Sequence, residues 1–203
     1  MAKWLRGQDL NLRYRRGDSS TWLGTYRDRD FGTQTRAGAD TSWQPFAGST
    51  LALQPSVQVA SGGFVGGSFS VELGEPWFVQ AGIGRTNTRP YFNLNFDPND
   101  AKTLAAGYRD DTGRTWYLMA IRDDRLGTHQ QHTHAVSRWP LPDRQHLTVD
   151  VLRKTGDGDS GPIQAWGAAI TWDLSDWFVR LARDPHQNFG DQNATRMTVG
   201  LHF

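Results

Sequence analysis

Cysteine is absent from the 203 residues, which excludes disulfides and thiolate-bound metals. Such an absence suits a chain that crosses an oxidising compartment. Long apolar runs are missing too. No stretch of about 18 apolar residues occurs, so a membrane-spanning helix is not expected. A spanning strand is not excluded, because it needs only roughly 9–11 residues with every second one apolar. Net charge is nearly missing: 22 basic residues stand against 21 acidic, a balance of +1. That removes any bulk electrostatic case for nucleic acid as a partner. Lysine is scarce, limited to Lys3, Lys102 and Lys154. The basic side is therefore arginine, which suits lasting ion pairs and planar recognition of carboxylate or phosphate. The first residues, Met1 to Arg6, lack the apolar core and cleavage site of a signal peptide. The chain is accordingly read as a mature form, or as a part cut from something longer.

What is present is a series of short alternating segments parted by Gly, Pro, Asp, Asn and Ser, with no sustained helical period. The expected strands are 9–16, 20–28, 33–43, 49–60, 64–73, 77–86, 90–97, 101–110, 115–124, 130–140, 144–155, 163–174, 177–184 and 194–203. That makes about fourteen, with twelve as the alternative if weak segments near Thr86 to Pro90 merge. All of them fall in one domain spanning residues 1–203, all-β, with short turns and no plug domain.

Each strand has an apolar face and a face of polar or very small residues. Met197, Val199, Leu201 and Phe203 oppose Arg196, Thr198, Gly200 and His202. Trp166, Ala168, Ile170 and Trp172 oppose Ala165, Gly167, Ala169 and Thr171, and Phe92, Leu94 and Phe96 oppose Asn93, Asn95 and Asp97. A soluble sandwich turns its apolar face inward, whereas a membrane barrel turns it out to lipid. Two features favour the barrel. Aromatic residues sit near strand ends: Trp22, Tyr26, Trp43, Trp77, Trp139, Trp172 and Trp177 are the candidate interfacial girdle. The chain also closes on an aromatic residue that completes an alternating strand.

That closing segment, Thr195 to Phe203, resembles the C-terminal signature strand of Gram-negative outer-membrane β-barrel proteins. Phe203, Leu201 and Val199 are the residues that carry the resemblance; Leu201 stands where Tyr is more usual in the family. The resemblance implies a transmembrane antiparallel up-and-down β-barrel of the bacterial outer membrane. It also implies the barrel-assembly machinery and outer-membrane lipid as partners. With the C-terminus on the periplasmic side, as in the family, Leu174 to Asp176 and Pro140 to Asp143 become periplasmic turns. Asp157 to Pro162 and Asp184 to Asn193 become short outer loops.

A barrel of twelve to fourteen strands is wider than one that its own side chains fill, so a pore is expected. Alternation, together with the cost of arginine in lipid, assigns Arg13, Arg15, Arg27, Arg36, Arg109, Arg122, Arg138, Arg180 and Arg196 to the lumen. Asp40, Glu72, Asp97, Asp124 and Asp150 join them, with small residues such as Gly38, Gly66, Gly107 and Gly167. Rows of arginine favour anions; arginines paired to the lumenal acids would instead only stiffen the wall. The expectation is a porin-like channel for small polar or anionic solutes, or oligosaccharides, without enzymatic activity, cofactor or metal. Two alternatives stand beside it: the barrel of a polysaccharide export protein, and an outer-membrane lipid esterase. His129, His132, His134 and Ser137 are the one histidine cluster, yet His134 and Ser137 have opposite parity. Gly158 to Gly161 matches a fragment of the serine-protease motif and holds oxygen donors for calcium, but reads as a solvated turn.

Overall fold

A computed structural model describes residues 7–28, 32–87, 89, 100–124 and 127–201. Alternation is realised as thirteen strands in one antiparallel up-and-down sheet, each hydrogen-bonded to its sequence neighbours. They are β1 (Gln8–Arg16), β2 (Ser19–Asp28), β3 (Gly32–Thr41), β4 (Leu51–Ala60), β5 (Phe64–Leu73), β6 (Trp77–Thr86), β7 (Ala101–Arg109), β8 (Thr115–Asp123), β9 (Gln131–Leu141), β10 (Gln145–Gly158), β11 (Gly161–Asp173), β12 (Trp177–Asp184) and β13 (Ala194–Leu201). The expected fourteenth strand, 90–97, falls outside the described residues. β6 and β7 pair directly from Trp77↔Tyr108 to Gly84↔Ala101, so no strand intervenes between them.

Connections alternate between two ends of the sheet. One end, the turn end, carries the tight turns after β1, β5, β9 and β11. At the first of these, Gly17 sits at φ 56, which a two-residue hairpin of the II′ kind requires at its first position. The opposite, loop end holds the connections after β2, β4, β6, β8, β10 and β12. There a 3-10 turn, Gln187–Phe189, is the one helical element among the described residues.

Register fixes which residues share a face. Starting from Met197, Val199 and Leu201, ladder partners carry the same face through Val179 and Leu181, Ile170 and Trp172, Val149 and Leu147, Leu118, Leu104, Val79 and Val57 to Leu10, Leu12 and Tyr14. This face is apolar and open: Leu104 is 65 % exposed, Leu118 62 % and Val199 59 %. The other face holds nearly all the buried side chains, apolar and polar alike, among them Phe64, Phe78, Ile121, Leu152, Arg36, His134 and Lys154. Most of the large apolar side chains are thus exposed, the reverse of a water-soluble sandwich.

The sheet also curls. β1 and β13 share no ladder among the described residues. Even so, the charge neighbourhood of Arg196 on β13 includes Asp9 of β1 and Tyr26 of β2, from the opposite edge. Arg196 and Asp9 thus stand near enough across the buried face for their charges to interact.

Small residues make that inner wall passable for large ones. A Cβ on Gly38 would stand 2.5 Å from the Trp22 ring, its ladder partner, and one on Gly107 would meet Phe78 and Tyr117 at 2.6 Å. Glycine at these positions leaves room for an aromatic ring to lie flat along the wall.

Candidate functional site: the inner face

Tracing partners across β7 to β13 yields one continuous row on the inner face: Arg109, Thr115, Arg138, Thr148, Thr171, Arg180 and Thr198. It lies towards the turn end, since Arg109 closes β7 and Thr115 opens β8. Strands stand about 4.8 Å apart, so guanidinium groups separated by one or two threonines can address a single anion or a chain of them. Threonine hydroxyls between them donate without adding charge. Of these arginines, Arg109 has an acidic partner, Glu72 at 3.4 Å. Arg13 and Arg15 share the inner face on β1, and Asp150 on β10 is held by the imidazole of His134 at 2.9 Å.

Towards the loop end the buried face is filled by side chains. Lys154 on β10 is 0 % exposed and forms an ion pair with Asp184 on β12, itself 1 % exposed, at 2.5 Å. The same ammonium donates to the carbonyl oxygens of Pro185 and His186 at 3.3 and 3.1 Å. Three donors of one buried cation thus fasten the β12–β13 connection inward. Phe189, at its tip, is 3 % exposed; it stacks on the inner-face His132 with ring centres 5.3 Å apart and lies 5.5 Å from the Lys154 ammonium. His186, Asn188 and Phe189 all adopt positive φ, a strained arrangement for non-glycine residues that this docking maintains. Neighbouring connections lock onto the loop: the Asp159 amide donates to the Phe189 carbonyl at 3.3 Å, and the Ser160 hydroxyl to Asp191 at 2.7 Å. The serine-protease-like fragment and the calcium donors of the sequence reading are thereby parts of a loop lock.

The remaining inner wall, from β2 to β6, is lined by small polar groups. Ser20 donates to Asp40 at 2.8 Å, Ser56 and Ser68 share a bond of 2.6 Å, and Gln54 accepts from Ser70 and Gln80 at 2.9 and 2.7 Å. Arg36 reaches across β2, over Gly24, to Asp9 at 2.6 Å.

Comparison with protein-family models, curated proteins and solved structures finds no match. The residues themselves therefore carry the functional argument.

The structure places most of the expected lumenal set on the inner face: Arg13, Arg15, Arg36, Arg109, Arg138, Arg180, Arg196, Glu72 and Asp150. Arg27 and Arg122 correct the expectation. Both lie outward, Arg27 in line with Leu23 and Arg122 with Leu118, at the loop ends of their strands. Asp124 lies with them: Arg85 and Lys102 bind it at 2.5 and 2.8 Å. Arginine is costly only at mid-membrane depth, and the cost falls to about 0–1 kcal/mol near an interface, so an outward strand end tolerates it.

Two of the expected girdle residues also move. Trp22 and Tyr26 point inward, Trp22 over Gly38 and Tyr26 over Gly7, with Tyr26 buried. Trp43, Trp77, Trp139, Trp172 and Trp177 are outward at the turn end. Tyr108 and Trp116 complete the aromatic group: Tyr108 stands 4.8 Å from Trp77 and 6.1 Å from Trp116 between ring centres. The sequence reading missed these two, although both flank the turn Asp110 to Arg114. Val199 and Leu201 are outward and exposed, while Phe203 lies outside the described residues.

A shallow outward groove of about 630 Å³ runs beside the aromatic group, lined by Leu118, Ala135, Val149 and Val151. Ser137 opens into it, and its hydroxyl has no hydrogen-bond partner among the described residues. His134 lies on the other face, so the sheet itself separates the two members of the candidate esterase pair. Among the described residues no three of His, Asp and Glu converge as a metal-ligand set.

Proposed function

We propose that the chain is a β-barrel of the bacterial outer membrane that conducts small anionic or polar solutes through its interior. The observation that carries the conduction is the inner-face row of Arg109, Arg138 and Arg180 with its intervening threonines. The outward apolar face supports the membrane setting. A monomer in water rarely exposes apolar patches beyond a few hundred Å², whereas this face runs through most of the sheet. In lipid it is the solvent-facing surface, and the aromatic group at the turn end takes the interfacial position. The C-terminal strand is the segment that the assembly machinery would read.

In this reading a solute enters at the turn end, exchanges part of its hydration for guanidinium and hydroxyl donors, and moves on towards the loop end. The Phe189 loop makes the narrowest passage there. Charged rings of one sign select by raising the local concentration of the opposite ion, and several weak sites in sequence allow release.

Planar-bilayer conductance of the refolded protein tests the proposal, with the reversal potential read across a salt gradient. Step conductance with anion preference is the expected result, and Arg138→Gln combined with Arg180→Gln should shift the preference towards cations. A folded barrel that gives no steps, or an anion preference unchanged in the double variant, overturns it.

A further inference from the structure

The outward face changes character along the strand axis. At the turn end aromatic residues gather beside Leu73, Leu141 and Leu201. At the loop end six strands carry an outward cation: Arg27, Arg85, Lys102, Arg122, Arg153 and Arg183. All six are exposed. The acids of this end include Asp100, Asp124, Asp157, Asp159 and Asp191; Asp100 accepts from the Thr86 amide and hydroxyl at 2.8 and 2.7 Å, and Asp191 from the Ser160 hydroxyl at 2.7 Å. Asp124 takes up Arg85 and Lys102, and Asp157 pairs with His129 at 2.9 Å. Arg122, Arg153 and Arg183 have no carboxylate partner among the described residues. Arg153 lies 6.0 Å over the Trp166 ring, and Arg183 donates to the Thr195 hydroxyl at 3.1 Å. At the turn end Arg16 is the outward strand-end cation, and the turns around it carry Arg114 and Arg144 together with the acids Asp18, Glu75, Asp110, Asp111, Asp143 and Asp176.

Spacing says what such a rim can bind. Neighbouring strands are about 4.8 Å apart, so Arg85, Lys102 and Arg122 follow one another closely, while Arg122, Arg153 and Arg183 are each two strands apart, roughly 10 Å. Cations spread along a convex wall form no pocket for a free ion. They match a layer of anionic groups laid against the wall. Their aliphatic stems lie on the apolar face and their heads reach beyond it, the usual posture of arginine and lysine at a lipid boundary. Guanidinium binds phosphate oxygens in a two-pronged fashion.

We infer that this rim grips the phosphate groups of anionic lipids in the leaflet at the loop end. The inference rests on the membrane-barrel reading above and adds the class of lipid and the leaflet that the wall prefers. Binding there fixes the barrel's depth from one side, while the aromatic group fixes it from the other.

Spin-labelled lipid association tests this on the protein reconstituted in phosphatidylcholine vesicles, with labelled phosphatidylglycerol and labelled phosphatidylcholine as probes. The protein should retain phosphatidylglycerol preferentially, and the preference should fade at high salt. A basic residue at an anionic lipid surface is worth roughly fivefold in partition. Arg122→Gln, Arg153→Gln and Arg183→Gln together should therefore lower the preference by at least about fivefold, while Arg16→Gln leaves it unchanged. Equal retention of the two probes by the unaltered protein, or a preference that survives high salt, overturns the inference even if the triple variant does not fold. Failure to insert into vesicles of either composition would instead sink the membrane reading beneath it.

Discussion

Replacing Lys154 with methionine tests how the interior is filled. The substitution keeps the length and removes the ammonium, which leaves the Asp184 carboxylate 1 % exposed without its cation. Breaking one half of a buried pair costs about 3–5 kcal/mol, because the surviving charge stays desolvated. Lys154 is 0 % exposed, so no solvent screening reduces that figure. At 1.4 kcal/mol per decade, the folded-to-unfolded ratio should fall by roughly two to three and a half orders of magnitude. Restoring neutrality in Lys154→Met with Asp184→Leu should return most of the loss, since a packed apolar pair of similar volume is often as stable as the ion pair. The assay is urea unfolding in detergent micelles, followed by tryptophan emission, for both single variants and the double. A second readout follows from the carbonyls of Pro185 and His186, which lose their donor in both variants. The loop and Phe189 should leave His132, and the conductance step should grow even in the double variant, whose stability is restored. A cost below about 1 kcal/mol for Lys154→Met, or a double variant no more stable than the single, would refute the reasoning.

Further outcomes separate the membrane reading from a water-soluble one. Leu104→Arg, on the outward face in the middle of β7, should cost about 2–4 kcal/mol in a lipid bilayer, whereas in water an exposed site would tolerate it within roughly 0.5 kcal/mol; reversible folding into vesicles measures it. At the loop end, the Lys102 hydrogen bond, and then the charges of Lys102 and Arg85, hold the Asp124 carboxyl below the usual carboxylate range. Its folded-state pKa is depressed, so its contribution is present above the unfolded value and is lost as pH falls through the folded one. Asp124→Asn should therefore melt slightly below the unaltered protein at neutral pH, and the gap should close in strong acid; a gap that persists there excludes the ion cluster as its source.

Most strands were legible because alternation and turn residues agree. The expected limits at 64–73, 77–86 and 177–184 are those of β5, β6 and β12. Segment 90–97 alternates equally well, but periodicity describes only the two faces of a segment and says nothing about its neighbours; β6 pairs with β7 regardless. The arginines of the inner row could be read from parity. Their alignment with Thr115, Thr148 and Thr171 could not, because register depends on turn lengths that vary by a residue. Arg27 and Arg122 were placed inward by alternation, whereas the ladder register sets them on the outward face. Trp22 and Tyr26 were misread because the glycines that seat them, Gly38 and Gly7, lie on other segments of the chain. The filled end, built from Lys154, Asp184, His132 and Phe189, draws on three separated stretches. Two of its members are charged residues that local sequence would place in water.

Among the described residues the number of strands is odd, which has a directional consequence. β1 and β13 both run from the loop end to the turn end, so the two free edges point the same way. Joining them edge to edge sets one parallel ladder among twelve antiparallel ones. Parallel bonds are slanted and slightly weaker per residue, and every residue of β1 is exposed. The wall then has a seam, a built-in line of least resistance. Lateral opening, strand exchange and the first step of unfolding should all begin along it, where the two edges share no ladder among the described residues.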